Sequence, residues 1–118
     1  MDSKIKELKE YMEQSRSCVQ DKIDELVNDG RSDEARAYRA SFNIFEVFTA
    51  LIDTSAKISG GDVDRFKTEF HKLAEKIPSG WRRSLEEAKQ HDDPEKVMIE
   101  EAKLKTADEI ISKFDELF

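Results

Sequence analysis

A single cysteine, Cys18, leaves this chain without an internal disulfide and fits a reducing compartment. Two prolines and four glycines are too few to punctuate a sheet with its many turns. No stretch approaches the roughly 20 apolar residues that span a bilayer, and the opening segment Met1–Lys9 has no apolar signal core. Excess positive charge is also missing. Twenty basic residues face 27 acidic ones, for a net charge of −7, which disfavours phosphate backbones and anionic membranes as generic partners. Nucleophilic triads, phosphate-cradling loops and dinucleotide fingerprints are absent, so no cofactor is expected. Gly60-Gly61 follows no strand pattern and reads as punctuation. The simplest home for such a chain is the cytoplasm.

What is present is charge and helix. Charged residues make up 40% of the 118 residues, and Ala, Glu, Lys, Leu and Arg dominate. The one strongly apolar stretch is Phe42–Ile52, which carries Phe42, Ile44, Phe45, Val47, Phe48, Leu51 and Ile52. At about 100° per residue these side chains cover roughly 220° of a helical wheel. A surface helix shows a stripe a little over ~100° wide. This segment must therefore be enclosed on more than one side, by its own chain or by a partner.

Periodicity and punctuation predict five helices. The first runs from about Ser3 to Asn28 and ends at Asp29-Gly30. The second follows Ser32 as N-cap, contains the apolar segment, and ends at Ser59-Gly60-Gly61. Asp62 caps a third, in which Val63, Phe66, Phe70, Leu73 and Ile77 follow a 3–4 spacing, and Pro78 ends it. Ser79 caps a short fourth helix with Trp81, Leu85 and Ala88. Asp93, Pro94 and Glu95 give a strong start to the last, whose stripe is Val97, Leu104, Ala107, Ile111, Phe114 and Phe118. The expected fold is an all-α antiparallel bundle of four to five helices, a single domain over residues 1–118, with the apolar second helix at its centre. The acidic surplus sits at the ends. Residues 1–30 hold 8 acidic and 5 basic residues, and residues 94–118 hold 7 and 4.

Several polar positions invite a functional reading. Glu101 interrupts the apolar stripe of the last helix, so it either meets a cation such as Arg82, Arg83, Arg39 or His71, or the helix is turned so that Glu101 reaches water. Trp81-Arg82-Arg83 joins the only tryptophan to two guanidinium groups, a combination suited to protein hot spots or single-stranded nucleic acid. A nucleic-acid-binding role would use these with Arg31, Arg36 and Arg39, against the acidic total. Glu87 and His91 are four apart, a spacing that places two ligands on one helical face, but the Glu-x-x-His pair of di-metal bundles is absent and no metal is expected. Arg65 and His71 form an Arg-x5-His pair. In this spacing, in size and in helical character the chain resembles the HEPN-type ribonucleases, small all-helical dimers with an Arg-x4–6-His motif. That resemblance implies Arg65 and His71 as catalytic residues, and it departs from the family in carrying Phe66 where a polar residue usually follows the arginine.

The leading expectation is a small non-catalytic interaction or regulatory protein. Its partner would be another protein or a second copy in a homodimer, and Phe45 and Ile52 are the candidate contact positions together with Trp81, Arg82 and Arg83.

Overall fold

A computed structural model describes residues 1–118 as four long helices: α1 (Asp2–Asn28), α2 (Ser32–Ser59), α3 (Val63–Gln90) and α4 (Pro94–Leu117). The first three, of 27 or 28 residues, are about 41 Å long at 1.5 Å per residue and α4, of 24 residues, about 36 Å, in keeping with the molecule's longest dimension of 46 Å.

The ends form where the sequence supplies caps. Asp62 accepts hydrogen bonds from the amides of Asp64 at 3.0 Å and Arg65 at 3.3 Å. Asp93 accepts from the Lys96 amide at 3.1 Å, with Pro94 in the first turn. Gly60 ends α2 in the left-handed region at φ 59°, a conformation that costs an L residue about 1–2 kcal/mol. Ser32 lies inside α2, and Arg31 precedes it without a side-chain cap.

Pro78 does not end a helix. α3 runs through it to Gln90, merging the expected third and fourth helices into one. Proline in a helix interior costs about 3 kcal/mol, but the apolar stripe does not break there. Phe66, Phe70, Ala74, Ile77, Trp81, Leu85 and Ala88 hold one face, and the Pro78 ring is itself fully buried. Packing of that face outweighs the local cost.

Arg16 of α1 reaches Glu46 of α2, and Lys9 reaches Asp53, so these two helices are antiparallel. Phe48 meets Phe70 across α2 and α3, and Phe70 stacks on Phe114 across α3 and α4. Helices α2 and α4, which alternation makes parallel, touch along the short diagonal: Arg36 pairs with Glu95, and the Ser41 hydroxyl donates to the Ala102 carbonyl at 3.3 Å. α1 and α3 occupy the far corners and do not meet. The cross-section of 32 by 20 Å is therefore a rhombus.

α2 is the central helix, packed on all three others. Its arc Ile44, Phe45, Phe48, Leu51 and Ile52 is buried, with Phe42 and Val47 half-buried. One chain thus covers what the sequence says must be covered. The aromatic half of the core, Phe48, Phe66, Phe70 and Phe114, lies toward the α1 N-terminus, and Phe118 stacks on Phe114 at 4.6 Å between centroids. The opposite half is built of smaller residues, among them Ala35, Ala37, Ser41 and Ala88.

Candidate functional site

α1 and α4 are neighbours on the rhombus, yet they are the least closely packed of its adjacent helices. Ion pairs tie α1 to α2 and α3 to α4, the edge-on Phe48–Phe70 contact joins α2 to α3, and Arg36–Glu95 and Ser41–Ala102 span the short diagonal. Across the α1–α4 seam there are two lysine–aromatic contacts: Lys113 lies 5.4 Å from the Tyr11 ring centre and Lys4 5.8 Å from that of Phe118. Both belong to the aromatic half. Beyond them the helices part over small residues and leave a cleft of about 620 Å³.

Ala37, Ser41 and Phe45 of α2 form the floor of that cleft, and Val19 and Cys18 of α1 form one wall. Met98, Ala102 and Thr106 of α4 form the other. Ser41 of the floor and Thr106 of the α4 wall both donate to the Ala102 carbonyl, at 3.3 and 2.9 Å. A second, shallower depression continues along α4 over Tyr11 and Leu104 as far as Glu116, and shares Glu101, Lys105 and Glu109 with the first. The rim is acidic. Glu34, Glu101, Asp108, Glu109 and Glu116 face Lys105 and Lys113. Glu101, Asp108 and Glu109 are exposed and form no ion pair within the chain.

Glu101 is therefore not the buried carboxylate. Glu100 is, with its side chain 7% exposed. The buried residues of α4 are Glu100, Thr106, Ala107, Ile110 and Phe114, which keep Ala107 and Phe114 of the expected stripe but turn its centre by roughly 70°. One Glu100 oxygen accepts from Lys103 Nζ at 3.2 Å, and the other has no hydrogen-bond partner in the protein.

Phe45 and Ile52, the candidate contact positions, point into the bundle. They are 4% and 0% exposed in the single chain, so they are core side chains, and only Phe45 borders the cleft, as part of its floor. Trp81 is half-buried against the core, while Arg82 and Arg83 are exposed without ion-pair partners. The remaining arginine cluster is dispersed. Hydrogen bonding to Glu34, and then its charge, holds Arg31 above the ordinary guanidinium range, and Glu95 does the same for Arg36. Arg39 lies in a depression between α1 and α2 with Gln20 and Phe42, away from Arg82 and Arg83 on α3.

His71 and Arg65 do not share a groove within the chain. α3 is uninterrupted between them, so six residues separate them by about 9 Å and 120°. His71 Nε2 lies 2.9 Å from Asp115, and its ring packs edge-on to Phe70 and Phe114. His91 sits at the α3 C-terminus with its amide bonded to the Glu87 carbonyl, and Asp93 is spent on capping α4. No group of three or more His, Cys, Asp or Glu side chains is arranged to hold a metal ion. No helix is long and apolar enough to cross a membrane. Cys18 is exposed; nearby Arg16 turns to Glu46 and the Phe42 ring, and Lys22 to Glu25.

Comparison with protein-family models, with curated proteins and with solved structures gives no match.

Proposed function

We propose that this chain is a non-catalytic interaction protein and that the cleft between α1 and α4 is its binding surface. The carrying observation is that seam itself, where two neighbouring helices part over an apolar floor in an otherwise closely packed bundle. Its chemistry suits binding better than bond-making. The Ser41 and Thr106 hydroxyls are engaged by backbone, the carboxylates sit on a wet rim, and no histidine lines it. The ribonuclease reading based on Arg65 and His71 lacks a comparable observation, since His71 is committed to Asp115. A nucleic-acid role would rest on Arg82 and Arg83, with Arg31 and Arg36 paired to Glu34 and Glu95 and Arg39 apart from them, beside a net charge of −7.

The test uses designed amphipathic helical peptides that share one apolar face and differ in flanking charge. Saturable binding of at least one, with amide chemical-shift changes on both α1 and α4 and slower alkylation of Cys18, is the expected result. Shifts confined to other faces, or no binding by any peptide, would remove this reading.

A further inference from the structure

We infer that the occupant of the α1–α4 cleft is an amphipathic helix of a partner protein, with lysines or arginines flanking its apolar stripe. This rests on the cleft being the binding surface.

Shape selects a helix. The cleft and its continuation follow α4 from Met98 to Glu116, about 27 Å at 1.5 Å per residue. That is the length of a helix of about five turns. Adding a strand requires a row of unpaired backbone groups, and a chain whose backbone is satisfied within helices offers none. The apolar lining, Met98, Val19, Phe45, Leu104 and Tyr11, is strung out along the cleft rather than gathered in one pit. A row of side chains at helical spacing fits such a floor.

Charge selects a basic one. Five carboxylates line the seam against two lysines; Glu101, Asp108 and Glu109 form no ion pair, and Lys105, one turn from each of them, offsets only one of their three charges. They lie on one flank of α4 at i, i+7 and i+8, so they face the same side of an incoming helix. Lysine or arginine there meets three unpaired carboxylates, whereas an acidic flank meets repulsion. A second copy is the poorer candidate. Both helices that border the cleft carry an acidic surplus, and the whole molecule is at −7.

Three peptides with the same apolar face and basic, neutral or acidic flanks, titrated calorimetrically into the whole protein, test the assignment. The basic peptide should bind roughly tenfold or more tightly than the neutral one, the combined effect of several exposed pairs. Raising the salt concentration should erode that advantage. In E101K/D108K/E109K, whose substitutions are all on the exposed surface, the order should reverse, so that the acidic peptide binds best. An unchanged far-ultraviolet circular dichroism spectrum checks that the variant is folded. Equal affinity for the basic and neutral peptides at the cleft would overturn the charge assignment while leaving the cleft as a binding surface. No binding by any peptide would remove both. Growth of the solution mass with concentration, abolished by E101K/D108K/E109K, would give the cleft to a second copy and overturn the partner assigned here.

Discussion

Replacing Glu100 by methionine should stabilise this protein. The carboxylate is taken out of water almost completely, its side chain being 7% exposed, and receives one hydrogen bond at 3.2 Å from Lys103, whose own side chain is 26% exposed. Its second oxygen has no partner in the protein. An unsatisfied buried polar atom costs about 1–3 kcal/mol, and buried ion pairs are often matched or bettered by apolar side chains of similar volume, by about 1–4 kcal/mol. Methionine keeps the length of glutamate and adapts to irregular space. Because Lys103 still reaches water, the lower part of that range applies, so Glu100→Met should gain about 1–2 kcal/mol. At about 4 °C per kcal/mol for a chain of this size, the midpoint should rise by about 4–8 °C. Lys103→Met should act in the opposite direction and cost about 1–2 kcal/mol, because it leaves the carboxylate without its cation. The double variant should lie near Glu100→Met alone, which makes the coupling in the cycle about 1 kcal/mol or more. Thermal and urea unfolding followed by far-ultraviolet circular dichroism measure all four proteins. If Glu100→Met lost more than about 1 kcal/mol while Lys103→Met were neutral, the carboxylate would be doing structural work with other groups and the reasoning would fail.

Phe45→Glu should unfold or aggregate the protein rather than yield a clean monomer, since a carboxylate in a site 4% exposed costs several kcal/mol, against a total of roughly 6–18 kcal/mol expected for this length. A folded variant with an unchanged midpoint and only a lower solution mass would return Phe45 to an interface. Gly60→Ala should cost about 1–2 kcal/mol purely through the backbone, because φ is 59° and no atom lies within 4 Å of the added carbon; a neutral result in urea unfolding would contradict it. Pro78→Ala should leave the helical circular dichroism signal unchanged, because α3 already continues to Gln90. A rise equivalent to a full turn would show that the helix breaks there.

Where local chemistry decides, the sequence was readable. Asp62 and Asp93-Pro94 start helices, Gly30 and Gly60 follow helix ends, and the broad apolar arc of Phe42–Ile52 requires cover from several sides, which α1, α3 and α4 supply. Local rules misled where packing overrode them. Pro78 is a breaker in isolation, but an unbroken apolar face carries α3 through it. On α4 the apolar residues Val97, Met98, Ile99, Leu104, Ile110, Ile111 and Phe114 spread so widely around the helix that periodicity allows more than one inward face. Contact with α2 and α3 chose the one that buries Glu100 and turns Glu101 outward.

The sequence by itself therefore determined the helical class, most of the helix ends and the central place of α2, because caps, propensity and hydrophobic period act within a few residues of themselves, whereas the continuation of α3 through Pro78 was a matter of packing. Only the tertiary structure decided which face of α4 points inward, and that α1 and α4 stand apart over a floor of Ala37, Ser41 and Phe45. A gap between helices depends on the combined size of side chains from three segments distant in the chain, and no periodicity along one segment records it.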